Sequence, residues 1–160
     1  MPGIPLEVQM GELLRARKRT LVTAESCTGG LIGHLLTNVP GSSEYYTGGV
    51  VAYAYEAKVV LLGVTWETLE KYGAVSEEVA LAMARGVRAA LNGDIGVAVT
   101  GIAGPGGGMP NKPVGLTWIA ISAPDGDWAK RFVWNGGREG NKMCSARAAL
   151  EMVVEYLQDH

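Results

Sequence analysis

Thr20-Leu21-Val22-Thr23-Ala24-Glu25-Ser26-Cys27-Thr28-Gly29-Gly30-Leu31 is the stretch on which the fold turns. Residues 20–24 form an apolar run of strand length, and Leu31, Ile32, Leu35 and Leu36 begin a buried stripe at helical spacing, so the passage reads strand, tight turn, helix. Gly29 and Gly30 let backbone approach a ligand without a Cβ in the way, and the first turn of the helix offers amide groups with no intrahelical partner. Such a turn holds anions or stabilises an oxyanion. Ser26 stands just before those amides, on a bend that lifts its hydroxyl clear of a sheet. The spacing is not the hydrolase elbow G-x-S-x-G, so that likeness is one of mechanics only.

The chain has 160 residues, 48% of them hydrophobic, and a formal net charge of −2, which is what a single domain over residues 1–160 with a sizeable core calls for. A pI near 5.7 and the lack of a long Lys/Arg cluster speak against nucleic acid as a partner, because phosphate neutralisation needs a basic face. Charge interrupts every turn of residues 1–19, and no apolar run approaches a membrane span or a signal segment. A cytoplasmic protein without a membrane partner is expected. Cys27, Cys144, His34 and His160 do not make a zinc site of any standard spacing, so no metal is expected.

Outward from the turn, Leu6, Met10, Leu13, Leu14 and Arg17 fall at helical spacing and predict an amphipathic first helix. Pro40-Gly41-Ser42-Ser43 stops the helix that follows Gly30. Residues 48–54 read as a buried strand whose end delivers Tyr53 and then Lys58. Thr65 caps a short helix closed by Gly73, and Ser76 caps a longer one with Val79, Met83, Val87 and Leu91 on its core face. Residues 95–100 form a strand that runs into the glycine-rich loop 101–108, and residues 116–122 and 128–134 form a hairpin about Pro124-Asp125-Gly126. Met143, Leu150, Val153, Val154 and Leu157 mark a long closing helix. The class is α/β: a three-layer α/β/α sandwich with a mixed, mainly parallel sheet and an antiparallel hairpin near the C-terminus. In such sheets sites form at the C-terminal ends of strands, where Ser26, Tyr53 with Lys58, and the 101–108 loop all lie.

A serine nucleophile needs a base, and histidine is scarce here. His160 is the last residue, and His34 stands about 12 Å along the helix axis from Ser26 at 1.5 Å per residue. A lysine is the remaining base, as in Ser-Lys hydrolases. Lys18, Lys71 and Lys130 fall on polar faces, whereas Lys58 sits between Ala57 and Val59-Val60-Leu61-Leu62. Two readings are open for it: a desolvated amine with a lowered pKa, or a side chain that snorkels from a helix end. Tyr53 reads either as a core aromatic or as a group that holds the lysine. The 101–108 loop matches neither the P-loop nor the dinucleotide pattern, and Arg138 is a candidate for a phosphate or carboxylate. Cys27 is the competing nucleophile, with a small buried apolar residue as the bland reading.

Ala24-Glu25-Ser26-Cys27-Thr28-Gly29-Gly30, Tyr53 with Glu56-Ala57-Lys58, Gly73-Ala74-Val75-Ser76, Thr100-Gly101-Ile102-Ala103-Gly104-Pro105 and Lys112-Pro113-Val114-Gly115 together resemble the C-terminal domain family of the competence-damage-inducible protein CinA. The motifs run in order over nearly the whole chain, and it is their combination that is specific. Stand-alone members are nicotinamide-nucleotide amidases. The resemblance implies hydrolysis of nicotinamide mononucleotide to nicotinate mononucleotide and ammonia without a cofactor, by a homo-oligomer. It implies Ser26 as nucleophile, Lys58 as general base and Tyr53 as the group that orients or relays, with backbone amides after Ser26 as oxyanion donors. By the same match Cys27, Thr28, Gly29, Gly30, Thr100 and Gly101 line the substrate pocket, and Arg138 takes the phosphate. Two departures stand out: Ala54-Tyr55 replaces the small hydroxyl residue and Asn usual in the family, and Lys142 stands where a second arginine is usual. A non-catalytic binding or regulatory domain that keeps the pocket, and a hydrolase of another small amide or ester, are the alternatives.

Overall fold

The computed structural model describes residues 3–160, and its element order is that of an α/β protein. Helix α1 (Leu6–Arg17) is followed by strand β1 (Leu21–Glu25) and helix α2 (Leu31–Thr37), then by β2 (Tyr46–Val51), α3 (Tyr55–Leu62) and α4 (Trp66–Tyr72). Helix α5 (Glu77–Leu91), strands β3 (Ile95–Gly101), β4 (Leu116–Ala123) and β5 (Gly126–Val133), and helix α6 (Gly137–Asp159) complete the chain.

The five strands form one sheet in the order β2-β1-β3-β4-β5. β1 pairs parallel with both β2 and β3, while β3–β4 and β4–β5 are antiparallel, so β4 alone runs against the other four. This is the mixed, mainly parallel sheet with a C-terminal hairpin that the residue pattern predicts. Period-two alternation divides the side chains between two cores. Leu21, Ile95, Val97, Val99, Ile119 and Ile121 pack with α1, α2 and α6, whereas Val22, Ala24, Ala98 and Ala120 pack with α3, α4 and α5. The small residues of the second face let α5 ride close to the sheet. A Cβ on Gly96 would stand 2.6 Å from the Ala84 carbonyl, and one on Gly86 would run into the Leu62 carbonyl.

Most element boundaries follow local chemistry. The Thr65 hydroxyl accepts from the Thr68 amide at 3.1 Å, and the Ser76 hydroxyl accepts from the Val79 amide at 3.2 Å, so both predicted N-caps are made. Three expectations are corrected. The strand read as buried over residues 48–54 is the edge strand β2, which ends at Val51 and alternates half-buried with exposed positions because only β1 flanks it. Leu91 is half-buried rather than in the α5 core, and Met143 is exposed on α6. Among the described residues no helix is long and apolar enough to cross a membrane.

Candidate active site

Three parallel strands end on the same edge of the sheet, which is why the three predicted segments meet. Ser26 follows β1, and its amide donates to the Val99 carbonyl of β3 at 3.0 Å. Ala52 and Tyr53 follow β2, and the Ala52 amide donates to the Glu25 carbonyl at 2.9 Å. Thr100 and Gly101 end β3. A pocket of about 210 Å³ lies between them, lined by Ser26, Cys27, Tyr53, Lys58, Thr100, Gly101 and Arg138. Ala74 and Val75, from the segment before α5, supply a wall.

Lys58 resolves the two readings left open by its sequence setting: it lies on the inner face of α3 and is 1% exposed. Its Nζ donates to Ser26 Oγ at 3.0 Å, to the Ala52 carbonyl at 2.9 Å and to the Tyr53 carbonyl at 3.0 Å. Among the described residues no carboxylate forms an ion pair with it. Burial therefore dominates, and it holds the amine below the ordinary lysine pKa. The stereochemistry suits a base. When Lys58 is neutral, its two N–H groups satisfy the two carbonyls and its lone pair is left for the Ser26 hydroxyl proton.

Tyr53 is 59% exposed, so it is not a core aromatic. Its main-chain carbonyl holds Lys58, while its phenol oxygen accepts from Arg138 Nη2 at 3.1 Å. Arg138 Nη1 also donates to the Gly104 carbonyl at 2.7 Å, which ties the first turn of α6 to the glycine-rich loop. Asn141 makes a second tie, accepting from the Gly136 amide at 2.8 Å and donating to the Ala103 carbonyl at 2.9 Å. Thr100 lines the pocket, with its hydroxyl committed to the Ala74 carbonyl at 2.8 Å. Gly101 has no room for a side chain: a Cβ there would stand 2.9 Å from the Leu116 carbonyl and 3.2 Å from Cys27 Sγ.

Thr28, Gly29 and Gly30 are not brought into the pocket lining. The Thr28 hydroxyl turns inward and donates to Glu25 Oε1 at 2.6 Å. Gly29 and Gly30 shape the turn with φ of 60° and 105°, values that favour glycine. The amides of Ile32 and Gly33 donate to the two Glu25 carboxylate oxygens at 2.8 and 3.1 Å. The helix start is thus already occupied by a carboxylate of the chain itself. The amides of Cys27 and Thr28, by contrast, donate to no backbone carbonyl among the described residues. Burial pushes the Cys27 thiol up to about 12, far from thiolate chemistry. No group of three or more His, Cys, Asp or Glu side chains gathers among the described residues in a way that could hold a metal.

Residue-by-residue reading passed over the Ala74-Val75 wall, the Asn141 tie and the Glu25 carboxylate. Only the last carried a local signal, an acidic residue between a buried apolar strand and a helix N-terminus.

Comparison with known proteins gives the same picture at the level of the family. The family model of the CinA C-terminal domain matches residues 4–157. A CinA-like protein of Salinibacter ruber is 52% identical over 148 residues, covering 92% of this chain and 36% of its own length. The chain thus spans little more than a third of the curated relatives it matches. Among solved structures, the competence damage-inducible protein A of Klebsiella pneumoniae superposes with a TM-score of 0.93 at 37% identity, covering 96% of this chain and 95% of that one. The competence/damage inducible protein of Agrobacterium tumefaciens gives 0.90 at 40% identity, with 99% of each chain covered. The chain belongs to the CinA C-terminal domain family.

Proposed function

We propose that this protein is an amidohydrolase that converts nicotinamide mononucleotide and water to nicotinate mononucleotide and ammonia through a Ser26–Lys58 dyad. The observation that carries the reading is the buried Lys58 amine 3.0 Å from Ser26 Oγ, with its other contacts two main-chain carbonyls. Neutral Lys58 takes the Ser26 proton as Oγ attacks the carboxamide carbon, and the resulting ammonium delivers that proton to the leaving nitrogen as the C–N bond breaks. The acyl-enzyme is hydrolysed by a water that Lys58 deprotonates in turn. The amides of Cys27 and Thr28 are the candidate donors to the oxyanion. Arg138 at the pocket mouth is the candidate for the phosphate, since its guanidinium forks between two neutral oxygens that an anion replaces favourably.

The test is ammonia release from nicotinamide mononucleotide by the wild type and Ser26→Ala side by side. Turnover by the wild type and its loss in the variant is the expected result. Absence of ammonia from the wild type, or full activity in Ser26→Ala, overturns the reading. Thermal stabilisation by the nucleotide without turnover identifies a non-catalytic binding domain instead.

A further inference from the structure

Glu25 is the last residue of β1, 2% exposed, and no basic side chain forms an ion pair with it among the described residues. A carboxylate buried in this way needs donors, and it has three. The Thr28 hydroxyl and the Ile32 amide share Oε1 at 2.6 and 2.8 Å, and the Gly33 amide takes Oε2 at 3.1 Å. These donors lie two, six and seven residues beyond Ser26. The side chain therefore closes a loop around the serine, fixing the turn at one end and the start of α2 at the other. The main chain of Glu25 reaches the other half of the dyad: its carbonyl accepts from the Ala52 amide at 2.9 Å, and the Ala52 carbonyl accepts from Lys58 at 2.9 Å.

We infer that Glu25 is the positioning residue of the reaction, acting through the turn that carries Ser26 rather than on the substrate. The inference rests on the serine–lysine reading above. An apolar residue at this position would leave those donors unpaired, whereas a buried carboxylate with three bonds holds the turn to one geometry. Glutamine in its place keeps an oxygen for Thr28 and Ile32 but turns an NH₂ group toward the Gly33 amide, donor against donor. The turn must then shift, and the distance from Ser26 Oγ to Lys58 Nζ shifts with it. A displacement of about 1 Å in an attacking group is worth up to about 100-fold in rate.

The experiment follows labelling of Ser26 by a fluorophosphonate, which reports the nucleophile without the proposed amide substrate. In Glu25→Gln the second-order labelling rate is expected to fall about 10- to 100-fold, and in Thr28→Val, which removes one of the three bonds, about 3- to 10-fold. The pH inflection is expected to stay where the wild type has it, because Lys58 keeps its burial and its two carbonyl partners, Ala52 and Tyr53. On the amide substrate, kcat falls with KM within threefold. Met10→Ala, a core truncation under α1, serves as the control for general destabilisation and keeps labelling within twofold. Labelling within twofold of the wild type in a folded Glu25→Gln protein overturns the inference alone; where that variant does not fold, the same result in Thr28→Val does so. A wild type that the probe does not label overturns the serine–lysine reading, and with it the role of Glu25.

Discussion

Replacing Lys58 with methionine is the sharpest perturbation the site offers. Methionine is close to lysine in length and suits an apolar surround, so the substitution removes the amine while keeping α3 packed on its neighbours. The magnitude follows from what else lines the pocket. Cys27 has its thiol pKa pushed up to about 12, Arg138 is engaged with the Gly104 carbonyl and the Tyr53 phenol, and Thr100 donates to the Ala74 carbonyl. Among the described residues, Lys58 is the side chain that hydrogen-bonds Ser26 Oγ, and the Tyr53 phenol in the same pocket is engaged by Arg138. General-base catalysis contributes about 10²- to 10⁴-fold, and with Lys58 as that partner the upper part of that range applies, a loss of about 10³- to 10⁴-fold. That corresponds to about 4–5.5 kcal/mol on the barrier.

The pH dependence gives the same prediction a second edge. Burial holds Lys58 below its ordinary value of 10.5, so the wild-type rate rises with pH and inflects below that value as the amine loses its proton. Stability carries the matching sign. Between the lowered folded pKa and the ordinary unfolded one, the unfolded chain binds the extra proton, so stability rises with pH across that interval. Below the folded value the wild type bears the full cost of a buried ammonium and Lys58→Met gains on it. Ammonia release and fluorophosphonate labelling against pH, with urea denaturation of both proteins, measure all three effects. A folded Lys58→Met protein that keeps its rate within a few-fold, or a wild-type inflection at or above 10.5, refutes the reasoning.

Three further outcomes are expected. Gly101→Ala forces a Cβ to 2.9 Å from the Leu116 carbonyl, an overpacking of about 1–3 kcal/mol that lowers Tm by about 2–12 °C; an unchanged thermal midpoint contradicts the close packing at the end of β3. Iodoacetamide at pH 8 is expected to modify exposed Cys144 and spare Cys27, since a thiol pKa of about 12 leaves about 1 in 10⁴ of it ionised; peptide mass mapping that finds both modified at equal rates refutes this. Ala54 is the N-cap of α3 in an extended conformation with no side-chain cap bond, so Ala54→Ser is expected to add about 1 kcal/mol, read as a higher urea midpoint; an unchanged or lower midpoint counts against the cap assignment.

The sheet was legible because its central strands obey one rule. β1 and β3 are flanked on both sides, so they read as continuous apolar runs ending in a glycine turn or loop. The 48–54 stretch misled because Val50, Val51 and Ala52 look like such a run, whereas the chain leaves the sheet at Val51 to aim Ala52 and Tyr53 at the lysine. Edge position is a property of strand order, which no local pattern encodes. Lys58 stood out by its apolar neighbours, yet whether it was buried or snorkelled depended on the helix face presented to the sheet. Asn141 had no local signal at all. It is one polar residue on a helix until the 102–115 segment is folded against it.

Tyr53 brings two different atoms to the pocket, a main-chain carbonyl and a phenol. The family resemblance implies a residue that orients or relays, and the contact with Lys58 is made by the main-chain carbonyl, which any residue at this position that keeps the backbone path supplies. What is particular to tyrosine is the phenol that accepts from Arg138. Arg138 in turn grips Gly104, so the phenol belongs to the chain of contacts that sets the pocket mouth. An anion arriving at Arg138 competes with a neutral phenol and a neutral carbonyl, and a charged acceptor forms the stronger bond. Lys58 is thereby held by main-chain carbonyls, while the proposed contacts for a charged ligand, Arg138 and the phenol it engages, are side chains. Ala54 and Tyr55 do not line this pocket, and neither is a partner of Lys58 Nζ.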